Sequence, residues 1–233
     1  MSTERTNLNL TPSIELFNKS YDLVKKNFRI FALLYALPVL YTITQIFAHG
    51  SSKLDVNVSS DIHIPTGLLI ALPIMFVLFI FVAVIYQTML TVLELKVTKK
   101  SGEIGFKQLW KEAQPYWGNL FVLGLLMGLY IIVGFILLIV PGIIMIRRYY
   151  LAPYFMIDKN LSPREAMRQS AAASKKVSGY IWGVIVITVL IGGLLSLVPF
   201  FGALLSALFG AAYSVAPALR YQEIKNLATA SDK

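Results

Sequence analysis

Two adjacent arginines, Arg147 and Arg148, stand in a run that is otherwise apolar or aromatic, "LIVPGIIMIRRYYLAPYFMID", from Leu138 to Asp158. A guanidinium keeps its charge at any ordinary pH and presents a planar fork of donors. That fork matches a phosphate or a carboxylate in bidentate geometry. A charge inside a membrane span costs about 2.5–3.5 kcal/mol at a helix centre on insertion scales, and less near an interface. Two arrangements meet that cost. Both side chains snorkel to water or head groups, or one of them faces a helical bundle and holds an anion. Neighbouring residues lie about 100° apart around a helix, so the second arrangement divides the pair, one inward and one toward lipid. A Pro-Gly turn at the outer surface puts the pair roughly 8 Å inward along the returning helix, so the anion would be a lipid head group or a substrate reaching in from the outer leaflet.

Other chemistry is sparse. The chain has no cysteine, which removes disulfides, thiolate metal sites and cysteine nucleophiles. His49 and His63, with Asp55 and Asp61 between them, lack the spacing of a zinc set and read as solvated loop residues. No nucleophile elbow, phosphate loop or metalloprotease pattern occurs. Glu94 and Asp158 fall near the ends of apolar runs, whereas a proton relay needs carboxylates or histidines inside the span. We therefore expect no catalytic residue, no metal site and no cofactor.

The elements that must position the arginines follow from composition. Of 233 residues, 57% are hydrophobic and only 14% charged, and the apolar residues come in blocks long enough to cross a bilayer. The sequence predicts an all-α polytopic transmembrane bundle with six spans, near 28–49, 66–95, 117–140, 142–158, 180–199 and 200–220. The connections "VPG" at 140–142 and "VPFFG" at 198–202 are short, and Pro and Gly there end one helix and start the next. Residues 1–12 read as a disordered tail, 13–225 as one transmembrane domain and 226–233 as a C-terminal tail. Polar residues and an acid at the start, followed by a first apolar run from Phe28 to Ala48, argue for a retained helix rather than a cleaved signal.

Charge sets the orientation. Of the 21 Lys and Arg, 18 fall in segments 1–29, 96–111, 159–176 and the tail, all on one side of a six-span chain, and only Lys53 falls opposite. That imbalance predicts cytoplasmic N- and C-termini. The net charge of +9 lies beside apolar spans, so anionic lipid head groups are the expected partner and nucleic acid is not. A protein partner or a second copy of the chain stays open.

The chain also repeats. "LFNKSYDLVKKNFRIFALL" from Leu16 matches "AMRQSAAASKKVSGYIWGV" from Ala166, with Ser20 on Ser170 and Lys25-Lys26 on Lys175-Lys176. "GFKQLWKEAQPYWGNLFVL" from Gly105 fits more loosely, and "YYLAP" (149–153) matches "YSVAP" (213–217) and, more weakly, "YQTML" (86–90). These matches predict three units, near 13–100, 101–160 and 161–225, each an amphipathic cytoplasmic helix followed by a two-span hairpin. In the first helix Ile14, Phe17, Tyr21, Val24 and Phe28 share a face, with Thr11-Pro12 as its start signal. In the third, "SPRE" at 162–165 is a capping box. Lys25, Lys26, Lys175 and Lys176 are the interfacial cations such helices turn to lipid phosphate. In the last span Gly202, Ser206, Gly210 and Ser214 recur every fourth residue, which predicts a close-packed helix face.

The segment "PGIIMIRRYYLAPYFMIDKNLSPREAMRQSAAASKK" resembles the membrane domain found beside some bacterial glycerophosphoryl diester phosphodiesterases, and related free-standing six-span bacterial membrane proteins. Pro141-Gly142-Ile143, the basic residues that follow, Asp158, and then Pro163, Glu165, Ala166 and Ser170 carry the resemblance. It implies an integral protein of the bacterial cytoplasmic membrane. The phosphodiesterase catalytic domain has no counterpart here, so the resemblance gives no reason to expect hydrolysis. The expected function is non-enzymatic, through lipid or protein contact in the envelope. A transporter or channel for a small solute or lipid is the competing expectation.

Overall fold

A computed structural model describes residues 10–51, 66–99, 104–199 and 201–231. The loop carrying His63, Asp55, Asp61 and Lys53 lies outside the described residues. Every regular element among the described residues is helical. The first unit holds α1 (Glu15–Lys26), α2 (Phe28–Ser51) and α3 (Thr66–Thr98). The second holds α4 (Phe106–Ala113), a single 3-10 turn, α5 (Trp117–Leu137), α6 (Ile139–Tyr149) and α7 (Ala152–Lys159). The third holds α8 (Pro163–Lys176), α9 (Ser178–Ser196), α10 (Gly202–Tyr213) and α11 (Ala216–Ser231).

Four helical stretches among the described residues are long and apolar enough to cross a membrane: Ala71–Thr98, Phe106–Leu137, Ser178–Ser196 and Gly202–Ala228. The predicted fourth span is not one helix. It breaks at Tyr150–Leu151, and α6 alone has 11 residues, about 17 Å, short of a bilayer. The turn also lies elsewhere. Leu138 is extended, and Pro141-Gly142 falls inside the first turn of α6, with Gly142 against Gly134 of α5. Leu10 is buried, and α11 runs to Ser231.

Two breaks sit in the same register, at 150–151 and 214–215. Each is followed by Ala-Pro at the start of the lower helix, α7 or α11. A proline there has no N–H and clashes with the carbonyl four residues back, so the helix above it ends. α3 has no proline at that level and runs on for 33 residues.

The breaks divide the molecule into two layers. Above them the helices present large apolar side chains outward: Phe76, Phe79 and Phe81 on α3, Leu125, Leu129 and Ile136 on α5, and Val189, Leu190 and Leu194 on α9 are exposed. Such a band is stable only against lipid. Below them lies the packed core, where Leu16, Leu93, Leu109, Met156, Ala166 and Tyr221 are fully buried. The short amphipathic helices belong to this core, not to a flat surface layer. Each packs on the second span of the preceding unit: α4 on α3, α8 on α6 and α7, and α1 on α10 and α11. The three units therefore close into a ring.

One polar contact recurs at the seams. Ser20 of α1 donates to the carbonyl of Ala212 at 2.7 Å, and the N–H of Val215 donates back to Ser20 at 3.2 Å. The hydroxyl thus bridges the break between α10 and α11. Ser170 of α8 donates to the carbonyl of Arg148 at 2.7 Å, at the matching break. The third seam has Leu109 against the unbroken α3 and needs no hydroxyl.

The first unit departs from the predicted hairpin. α5 packs on α6 and α9 on α10, but α2 lies mainly against α10 rather than α3. It meets α3 where Ile30, Phe31 and Leu34 join Met89, Leu93 and Val97 in one cluster. The small-residue face of α10 also divides. Gly202 is buried, and a Cβ there would strike the carbonyl of Ser196, while Ser206 lies against Gly192 of α9. Ser214 turns back to the carbonyl of Ala211. Gly210 has no atom within 4 Å of where its Cβ would be.

Two outcomes are expected in thermal melts of the purified protein. Ser20→Ala leaves a buried N–H and carbonyl unpaired and costs about 1–3 kcal/mol, with Ser170→Ala in the same direction; equal melting of Ser20→Ala and wild type would contradict the bridging role. Gly202→Ala costs about 1–3 kcal/mol through overpacking. Gly210→Ala is neutral or gains up to about 1 kcal/mol from helix propensity.

Candidate functional site

The arginines lie at the end of α6, and their level is set by α8. Three residues connect α7 to α8, so α8 turns back, climbs along α7 and reaches α6. Arg147 Nη1 donates to the hydroxyl of Ser178, the first residue of α9, and the carbonyl of Arg148 accepts from Ser170. The pair is thus held beside the end of α8 and the base of α9. Measuring 8 Å inward from a Pro-Gly turn at the outer surface puts it too far from those elements. That measurement starts from Pro141-Gly142, whereas the turn lies at Leu138, nine residues before Arg147.

The two side chains do divide. Arg147 turns to the protein, and its Nε is buried with no partner. The Arg148 guanidinium has no partner among the described residues. Both residues are half-buried.

The same level carries other cations. Lys25 and Lys26 end α1, Arg29 opens α2, and Lys175 and Lys176 end α8. All five are exposed. Among the described residues no carboxylate pairs with any of them, nor with Arg147 or Arg148. Four carboxylates of the described residues form ion pairs lower down. Glu112 pairs with Lys96, Glu223 with Arg220 at 2.7 Å, Glu165 with Arg168 at 2.9 Å, and Asp158 with Lys99 and Lys225. Glu15 and Asp22 of α1 form no ion pair either, so the cations at the breaks stand without a carboxylate partner among the described residues.

Two clefts open at the surface of this region. One, of about 700 Å³, is lined by Lys25, Lys26, Arg29, Phe28, Leu33 and Phe106, with Asn27, Ile30, Ile104 and Gly105. The other, of about 630 Å³, lies between α3, α4 and α7 and includes Lys96, Lys99, Lys111, Glu112 and Asp158. Neither is lined by Arg147, Arg148 or Gln87.

Three polar groups escaped the sequence patterns. Glu94 is 6% exposed and accepts a 2.6 Å hydrogen bond from the Tyr154 hydroxyl. Arg220 is fully buried and clamps the N-terminal segment: it donates to the Thr11 carbonyl at 2.7 Å and lies over the Tyr180 ring. Asp158 has a buried side chain that accepts from Tyr221 at 2.6 Å and Lys225 at 2.7 Å, and from Lys99. The repeat offers a signal for two of them, since Glu94 and Asp158 are 64 residues apart, as are Asp158 and Gln222. Among the described residues no three metal-ligating side chains cluster.

Asp158 lies on α7, below the apolar band. Burial pushes its carboxyl up, but the hydrogen bonds from Lys225, Lys99 and Tyr221 outweigh burial and hold it at about 2. The unfolded value is about 3.9, so the folded state gains from the ionised form. This stabilisation is present above pH 4 and is lost as pH falls toward 2. Asp158→Asn should cost about 1–3 kcal/mol at neutral pH, and its melting curve should converge on that of the wild type near pH 2. A gap that persists unchanged into acid would show that the charge is not what matters. No family model, no curated protein and no solved structure matches the chain, so the chemistry of the site rests on its own geometry.

Proposed function

We propose that the protein is a non-enzymatic multi-pass protein of the bacterial cytoplasmic membrane, working through contact of its junction cations with anionic head groups of the cytoplasmic leaflet. One observation carries this: among the described residues Lys25, Lys26, Arg29, Arg148, Lys175 and Lys176 have no carboxylate partner, at the level where the outward apolar band gives way to a packed core. In this reading the chain crosses six times, α2 and α6 with the start of α7 adding to the four long apolar stretches, and the end of α7 with Asp158 lies in the cytoplasmic core. The termini and the packed core are cytoplasmic in this reading, in line with the charge imbalance across the chain. The bacterial setting rests on the resemblance carried by Pro141-Gly142-Ile143, Asp158 and "SPREAMRQS".

Each cation near an anionic surface contributes roughly 1 kcal/mol of attraction, which salt weakens. In nanodiscs the protein should melt higher when anionic phospholipid is added to a zwitterionic bilayer, and high salt should reduce the gain. Arg148→Gln should lower the anionic lipid retained on purification, whereas Arg147→Gln should lower stability and leave retention nearly unchanged. Equal melting in both bilayers would overturn the proposal. For orientation, single cysteines replacing Ser2, Ser59 and Ser231 can be exposed to an impermeant thiol reagent on intact cells. Only position 59 should label.

A further inference from the structure

We infer that the cleft at the α1–α2 junction is a discrete site for one anionic phospholipid, its phosphate held by Lys25, Lys26 and Arg29 and one acyl chain lying along α2. This rests on the lipid-contact reading and narrows it from a charged perimeter to one place. The cleft holds about 700 Å³, and among the described residues its lining has three cations and no carboxylate. Its remaining wall is apolar and open, with Phe28 66%, Leu33 53% and Phe106 44% exposed. The pairing of an anion-seeking rim with an uncovered apolar wall matches an amphiphile, not a soluble anion: free phosphate gains nothing from Phe28, Leu33 or Phe106. Leu33 and Leu40 lie two turns apart on one face of α2, and both are exposed. They make an apolar track about 10 Å long leading from the cations toward the bilayer.

The fold explains why this junction and not the others. Because α2 leans on α10 instead of α3, its flank toward the start of α4, at Ile104, Gly105 and Phe106, stays open. At the third unit's junction the base of α9 is occupied by Arg147 through Ser178. At the second, Gln114-Pro115 stands where the others have Lys-Lys.

The test uses the full chain in mild detergent, titrated with short-chain phosphatidylglycerol and followed by native mass spectrometry. Short-chain phosphatidylcholine and inorganic phosphate serve as comparators. One phosphatidylglycerol should be retained preferentially, and excess inorganic phosphate should not displace it. Replacing Lys25, Lys26 and Arg29 together by Gln should weaken retention about a hundredfold, and the Lys175→Gln/Lys176→Gln pair should weaken it far less. These cations are exposed, and unaltered melting in detergent alone verifies that the triple variant folds. Leu33→Asn should weaken phosphatidylglycerol without creating phosphate binding. Three outcomes overturn the site. Equal loss in both lysine variants means a diffuse charged perimeter, which spares the broader lipid reading. Displacement by inorganic phosphate means an anion site without a lipid role. Retention of neither lipid, with no anionic gain in nanodiscs, removes the broader reading as well.

Discussion

A single hydroxyl placed in a broken helix holds the arrangement together. Where Pro217 ends α10, the backbone above it loses its regular partners, and in a buried setting each orphaned N–H or carbonyl carries a full desolvation cost. Ser20, from the far end of the chain, accepts from Val215 N–H and donates to Ala212 C=O. Ser170 does the corresponding work for the carbonyl at the other break. The break and the serine therefore belong together. The seam without a proline, at α3, carries Leu109 in place of the serine. Since each serine lies on the amphipathic helix of the next unit around the ring, satisfying the breaks also fixes where α1 and α8 sit.

Charge follows from that placement. Once α1 and α8 are docked, their C-terminal lysines and the ends of α6 and α9 fall at the foot of the apolar band. The carboxylates of the lower core are taken by Lys96, Lys99, Lys225, Arg168 and Arg220. Ion pairs of half-exposed side chains add little stability, but they neutralise the acids and leave the junction cations as uncompensated charge. The two arginines fit the same scheme. Arg147 ties the second unit to the third through Ser178, and Arg148 adds to the outward charge.

Much of this was legible in the sequence because it is local. Apolar block length marks the helices, Ser162 caps α8 by accepting from Glu165 N–H at 3.4 Å, and the Lys-Lys and Ala-Pro matches mark two of the three units. What stayed hidden is long-range. An all-apolar helix has no polar face to show which neighbour it will choose, so α2 could not be assigned to α10 over α3. Depth was misjudged for the arginines because the chain turns at Leu138, four residues before Gly142. Gly210 shares its spacing with Gly202, yet only Gly202 meets a backbone. The start signal at Thr11-Pro12 holds in part: the Pro12 carbonyl accepts the first helical N–H groups, of Glu15 and Leu16, while the Thr11 carbonyl serves Arg220.

The ring has a consequence for how the lipid-facing cleft comes to exist. α1 is made first, but its docking partners α10 and α11 are made last, with Ser20 and Ala212 separated by 192 positions. Contacts of such separation carry a large closure cost before they return any stability. Apolar contact between α1 and the α10–α11 pair, through Leu16, Val184, Tyr213 and Ala216, is what offsets it. Only when that cluster forms does α1 end at a defined height, and only then do Lys25, Lys26 and Arg29 converge beside Phe106. The cleft thus has no independent existence in the first unit, although every cation in it comes from there; it is a product of ring closure by the third.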